Sequence, residues 1–504
     1  MTAPGPQPPA PRYPQWVVLA VACVAQFMVV LDVSIVNVAL PSIGRDLHYS
    51  STGLQWVVNA YVLTFAGFLL LGGRAADLYG RRRVFLFGLS LFTVASLVGG
   101  LATDSAWLTT ARALQGVGGA VLSPATLTII VTSYSGERLA RALGVWSAVA
   151  GAGGAAGAIL GGVLTAELSW RWVLFVNVPI GAAGLVVAVA ALTEVRRPSA
   201  TCLDVAGAVT ATAGLALLVY AIVGTDTSGW GSARTLGILV GAAILLGIFA
   251  VIQLKVAATP LVPFRLFRSR AVTGANVVML LVAAGFFSMW YFLSLHMQNV
   301  LGYGALRAGL AFVPMALGII VATQISSRLV SRTGARPLLT AGSLLCAGGF
   351  VWLSGIGHSG GYWSDVFGAG TMVAFAVGLM FTPLASAATE GVDRAEAGLA
   401  SGVLNTSRQV GGSLGLAVLA TVAVDRTQSV LASARGAALR DQALTSGYSR
   451  AFAVAAALVV LGVAGASIVP ARPAEPGAEP KLAWRRAGAP AAPAGSREAG
   501  DPVT

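Results

Sequence analysis

Gly73-Arg-Ala-Ala-Asp77-Leu-Tyr-Gly80-Arg81-Arg82 and Ser327-Arg328-Leu-Val-Ser331-Arg332-Thr-Gly334-Ala-Arg336 are two short basic stretches written in nearly one pattern. Asp77 in the first aligns with Ser331 in the second, and Gly80 with Gly334. Each stretch lies between two long apolar runs. A hydrophilic loop that recurs in two halves of a very hydrophobic chain points to a duplicated membrane protein.

Composition supports that reading. Of 504 residues, 56% are hydrophobic and only 10% charged, and the mean hydropathy is +0.80. A soluble protein carries about 25% charged residues, so most of this chain cannot face water. Crossing a bilayer takes about 20 apolar residues. Such runs recur near 16–39, 54–75, 84–102, 107–132, 139–166, 170–193, 203–224, 235–255, 271–299, 305–327, 336–356, 365–389, 398–424 and 451–470. The expected fold class is therefore all-α integral membrane, with about 14 transmembrane helices. The first basic loop follows span two and the second follows span ten. The halves are then spans one to six and nine to fourteen, with spans seven and eight inserted between them. In residues, these are an N-terminal six-helix bundle over 15–195, an insert over 196–260 and a C-terminal bundle over 261–470. A Pro-rich tail over 1–14 and an Ala- and Pro-rich tail over 471–504 are expected to be disordered and cytoplasmic.

The net charge of +13 would suggest nucleic acid in a soluble protein. Here the basic residues gather in alternate short loops, which is the positive-inside pattern. One side holds Arg81–Arg83, Arg138 and Arg141, Arg196 and Arg197, Lys255 to Arg270, and Arg328, Arg332 and Arg336. That side is expected to be cytoplasmic, with both termini on it, in a plasma (inner) membrane. The 425–450 segment fits less well, because it carries four arginines on the side expected to be outside. Cys23, Cys202 and Cys346 are isolated and have no metal or disulfide spacing. No GxxxxGK[ST] loop suggests ATP. The expected partners are a small-molecule substrate, protons and the lipid bilayer, with no nucleic acid, no ATP, no cofactor, no metal and no catalytic residue.

Ionisable residues inside spans are functional candidates by default. Asp32 stands alone in the first span, where a charged carboxylate costs roughly 2.5–3.5 kcal/mol. Loss of water favours the neutral acid, which suits a group that takes up and releases a proton; the alternatives are contact with a cationic substrate and a structural bond to a neighbouring span. Arg112, Gln115, Gly116, Gly119 and Ser123 share one polar, small-residue face of the fourth span. Asn405, Arg408, Gln409 and Gly412 share a face of the thirteenth, either as cavity lining or as an interhelical hydrogen-bond cluster. Gly153, Gly157 and Gly161 repeat every four residues of the fifth span, beside Gly162, and leave a bare stripe for close helix approach. His296, in the ninth span, reads as a residue bonded to a neighbour.

Several of these motifs together resemble the major facilitator superfamily, and most closely its fourteen-span drug:proton antiporter branch. The resemblance covers about residues 12–470. The Gly73–Arg82 loop is similar to the superfamily's loop between spans two and three. Leu31-Asp32-Val-Ser-Ile-Val-Asn37-Val-Ala-Leu-Pro41 is similar to the branch's first-span signature. Arg112-Ala-Leu-Gln115-Gly116-Val-Gly-Gly119 resembles the fourth-span motif. Trp170-Arg171-Trp172 with Asn177-Val-Pro179-Ile-Gly181 resembles the start of span six. The resemblance implies proton coupling by Asp32 and Arg112, and a substrate cavity lined by Asp32, Asn37, Gln115, Asn405, Arg408 and Gln409. It also implies a cytoplasmic gating motif at Gly73, Asp77, Gly80, Arg81 and Arg82, and an antiporter-type glycine helix at Gly153, Gly157, Gly161 and Gly162. Two positions depart from the pattern: Leu78 where an Arg often follows the Asp, and Ala158 where a Pro usually follows the glycine. The implied function is proton-coupled export of amphiphilic drugs, dyes or an antibiotic. A proton-linked importer or narrow metabolite carrier of the same fold is the alternative, and a polytopic membrane enzyme the distant one.

Overall fold

The computed structural model describes residues 13–192, 203–393, 396–433 and 438–471. Both expected tails lie almost wholly outside these residues, as does Cys202. Cys23 and Cys346 are buried and free. Fourteen long helices account for nearly all of the described chain: α1 Gln15–Asp46, α2 Trp56–Tyr79, α3 Arg81–Gly100, α4 Ser105–Ser133, α5 Gly136–Glu167, α6 Trp172–Ala191, α7 Val205–Val223, α8 Ala233–Val256, α9 Arg270–Val300, α10 Ala305–Thr333, α11 Ala335–Leu353, α12 Tyr362–Thr389, α13 Ala397–Ser433 and α14 Ala438–Ile468. Thirteen are long and apolar enough to cross a bilayer among the described residues. The other, α5, is a 32-residue helix packed along α1. Side-chain oxygens of Asp104, Asp204, Ser232 and Ser269 accept backbone N–H groups and start α4, α7, α8 and α9.

The repeated loop has the same conformation twice. Gly80 (φ 97°) alone separates α2 from α3, and Gly334 (φ 78°) alone separates α10 from α11. A positive φ is open to glycine at no steric cost, so the residue shared by both copies makes the reversal.

The packing shows the duplication more fully. In the first half α1 packs on α5, α2 and α3 on α4, and α3 on α6. Adding eight to each number gives α9 on α13, α10 and α11 on α12, and α11 on α14, and all of these pairs pack. The seam between halves obeys the same rule: α2 packs on α13, α5 on α10, and α1 on its counterpart α9. The seam is closely packed toward the ends of α1 and α5. There Ser294 Oγ donates to Asn37 O (2.7 Å) and Gln298 Nε2 to Val38 O (2.9 Å). A Cβ on Gly309 would lie 2.2 Å from Ala158 O, and one on Gly162 would lie 2.8 Å from Ala305 O.

The inserted helices α7 and α8 pack on each other, and α7 also lies against α2 and α13 outside the seam. Leu63, Val219, Ile222, Val223 and Ala417 form the apolar cluster that holds it there. Leu236, Val240, Ile244 and Ile248 of α8 stay exposed, as a face meeting lipid tails would.

The 425–450 segment is not the loop expected from its charges. α13 runs on to Ser433 and α14 begins at Ala438, with 434–437 outside the described residues. Nothing in this Ala-rich stretch breaks a helix. Arg426 Nε donates to Ser446 Oγ (3.1 Å), and a Cβ on Gly447 would lie 2.4 Å from Ala423 O. The two extensions therefore pack as a hairpin.

Candidate functional site

Four helices of the first half deliver one buried polar network. Glycines make it possible by letting backbones touch. A Cβ on Gly116 would sit 2.3 Å from Tyr61 O, and one on Gly118 2.6 Å from Phe92 N, so α4 is wedged between α2 and α3. The α5 stripe acts likewise on α1. Cβ atoms would lie 3.1 Å from Phe27 O at Gly153, 2.8 Å from Leu31 O at Gly157 and 2.7 Å from Ile35 O at Gly161. The expected close approach is present, and it brackets Asp32. With Ala158 in place of a proline, α5 is one uninterrupted helix.

Asp32 is fully buried and Arg112 is 2% exposed. Arg112 Nη1 donates to Asp32 Oδ2 at 2.5 Å and to Gln115 Oε1 at 2.6 Å. Gln115 Nε2 donates to Asp32 Oδ1 (2.7 Å) and Ser96 Oγ (3.1 Å). Asn177 Nδ2 donates to Asp32 Oδ1 (3.1 Å) and Ser96 Oγ (3.0 Å), and Ser96 Oγ donates onward to Leu174 O (2.9 Å). Both oxygens of Asp32 are thus engaged, by one cation and two amides. Arg112 also reaches α2, where its Nε donates to Val57 O (3.1 Å) and its guanidinium carbon lies 4.4 Å from the Tyr61 ring centroid. One side chain therefore ties α4 to both α1 and α2. A charge at this depth is tolerable because it is paired and hydrogen-bonded.

Of the expected site residues, Asp32, Arg112 and Gln115 come together here. Ser96 was not singled out in the sequence, and Asn177 appeared only within a motif. Asn37 does not join them: its Nδ2 donates to Val33 O of its own helix (2.9 Å), while its carbonyl belongs to the seam. On α13, Ser407 donates to Asn276 of α9 (2.7 Å) and Ser413 to Asn59 of α2 (3.1 Å). Asn405 and Arg408 lie between these two packed faces. Asn405 Nδ2 bonds locally to Ser401 O (3.3 Å). The Nε of Arg408 and the Oε1 of Gln409 are buried without partners. His296 is a correction. Both of its ring nitrogens are buried without partners, and its ring meets Tyr448 at 6.2 Å, nearly perpendicular, because α14 turns the Tyr448 ring toward it rather than a hydrogen-bonding atom.

In the basic loop, Arg82 Nη2 donates to Val189 O (2.7 Å) in the last turn of α6, where an arginine satisfies an otherwise orphaned carbonyl. Arg81 is 7% exposed, while the placement of the Asp77 side chain lies outside the described residues. Close contact with α4 falls to Gly72, whose Cβ would lie 2.6 Å from Ala120 O; at Gly73 the nearest atom is 3.7 Å away. At the other end of the half, Asp46 accepts from Trp170 Nε1 (2.8 Å) and Arg171 Nη1 (2.7 Å). The motif at the start of α6 is thereby anchored to the end of α1.

Two packed halves of long apolar helices, with a buried ion pair in the first, are the architecture of a multi-pass membrane transporter. Residues 22–416 match the Major Facilitator Superfamily, and the chain belongs to that family. It is 48% identical over 408 residues to the cephamycin export protein CmcT of Amycolatopsis lactamdurans, covering 80% of this chain and 84% of that one. It is 39% identical to the puromycin resistance protein pur8 of Streptomyces alboniger, covering 90% and 91%. It is 34% identical to the tetracenomycin C resistance and export protein of Streptomyces glaucescens, covering 82% and 77%. In fold it is similar to a bacterial homolog of the human lysosomal transporter Spinster, with TM-score 0.62, 16% identity, and coverage of 90% and 97%.

Proposed function

We propose that the protein is a proton-coupled antiporter that exports amphiphilic small molecules, antibiotics among them, across the plasma membrane. The observation that carries this reading is the buried Asp32–Arg112 pair. One proton on Asp32 removes the charge that holds Arg112, and Arg112 is also the tie between α4, α1 and α2. Proton uptake therefore changes helix contacts, which a carrier needs in order to change the side on which it opens. The relatives' roles, export of cephamycin and resistance to puromycin, support antibiotic export as the direction and class.

The two halves are proposed to rock against each other around a site near mid-membrane. By the positive-inside reading, the α2–α3 and α10–α11 turns face the cytoplasm. The seam contacts at Asn37–Ser294 and Gly162–Ala305 then lie toward the outer side. No ATP is needed energetically. One charge crossing 100 mV is worth about 2.3 kcal/mol, roughly a fifty-fold gradient.

Inverted membrane vesicles with an acidic interior test the reading. Radiolabelled cephamycin should accumulate inside when the chain is present, and an uncoupler should abolish this. If cephamycin and a broad panel of antibiotics and dyes all fail to accumulate with the protein inserted, the export reading fails.

A further inference from the structure

We infer that Arg408 receives a carboxylate or similar single anionic group of the carried amphiphile, with the aromatic cluster of α9 receiving its apolar body. This deepens the export reading and rests on it for the substrate being carried.

Arg112 is buried and Arg408 half-buried, and the two differ in their partners. Arg112 has a carboxylate, an amide, a carbonyl and a ring around it. Arg408 forms no hydrogen bond or ion pair among the described residues, and its Nε is buried. The acids on its own helix are remote: at 1.5 Å per residue, Glu396 is roughly 18 Å before it and Asp425 about 25 Å beyond it. A cation held at membrane depth with no countercharge from the protein is costly. Lipid does not explain its position. Ser407, Gly411 and Gly415 of α13 pack on α9, while Gly402 and Ser413 pack on α2. Helical spacing sets Arg408 and Asn405 between those faces, on the side away from Ala417 and the peripheral helix α7.

The neighbouring surface is aromatic. A Cβ on Gly412, one turn beyond Arg408, would lie 2.7 Å from the Phe287 ring. Phe287 leads to Phe286, which meets Trp290 edge-on (6.1 Å), and Trp290 stacks on Phe312 (4.7 Å). Phe286, Phe287 and Trp290 are only half-buried. A guanidinium fork matches a carboxylate bidentately, and rings supply a large apolar contact. For a cationic substrate the choice is poor, because Asp32 is already saturated by three donors.

The full chain in lipid nanodiscs, titrated with 1-pyrenebutyrate and with neutral 1-pyrenebutanol, tests the assignment through energy transfer from tryptophan. Wild type should bind the acid at least tenfold more tightly than the alcohol. Arg408→Gln should lose that preference through weaker acid binding while leaving the alcohol within twofold, and Arg408→Lys should retain part of it. A purely structural role would move both probes together. Equal affinities in the wild type, absence of saturable acid binding, or an unchanged acid affinity in Arg408→Gln would each overturn the assignment. If Arg408→Gln does not fold, the wild-type comparison decides alone. The export reading fails separately: acids that bind through Arg408 but never accumulate in inverted vesicles would refute export and leave the anion site standing.

Discussion

A double-mutant cycle across Asp32 and Arg112 probes the energetics of the site. Asp32→Asn leaves the guanidinium buried with Gln115 Oε1, Val57 O and the Tyr61 ring, and with no countercharge. Arg112→Gln leaves the carboxylate with two amide donors only. At an effective dielectric of about 20, unit charges roughly 4 Å apart attract by about 4 kcal/mol. Removing one partner of a buried pair costs about 3–5 kcal/mol, because the other charge stays behind. The double variant leaves no charge, so it should be less destabilised than either single, at about 2 kcal/mol or below, which makes the coupling at least about 4 kcal/mol. Reversible unfolding in detergent or bicelles reads the four proteins, and all three variants should have lost coupled transport. Additive costs, with the double variant the least stable of the set, would refute the idea that the pair is one electrostatic unit.

Other substitutions test the framework around it. Ser96→Ala takes a shared acceptor from Gln115 and Asn177 and should cost about 1–3 kcal/mol, with slower export at full membrane insertion; unchanged transport would place Ser96 outside the site. Gly80→Ala and Gly334→Ala force a side chain into positive φ and should each cost about 1–2 kcal/mol in unfolding assays, and equal stability to wild type would deny that the repeated glycines make the turns. Gly309→Leu drives a side chain into Ala158 O; it should open the seam there and raise thiol labelling of a Cys placed at Ser294, whereas protection equal to wild type would show that this contact does not hold the seam.

Much of this was legible because membrane segments write their constraints plainly. Unbroken apolar length predicts each span, and the paired glycines Gly80 and Gly334 predict the duplicated turn. Asp32 and Arg112 stand out because charge in an apolar run is rare. Ser96 does not stand out, since a serine in such a run reads as one more small residue. Asn177 becomes a partner of Asp32 only once α6 packs beside α1, which no local spacing conveys. The same limit hid the solitary state of Arg408, because an empty neighbourhood is a property of packing. The charged 425–450 segment misled in the opposite direction, because polar residues mark the end of the membrane and not the end of a helix.

The central claim is that proton and substrate exchange through Asp32. Proteoliposomes with an interior pH dye and an outward-directed gradient of a compound that accumulates in the inverted vesicles test it directly. Wild type should move protons against the substrate flux, and Asp32→Asn, inserted and folded, should move none. Substrate-driven proton movement that persists in Asp32→Asn would contradict the account.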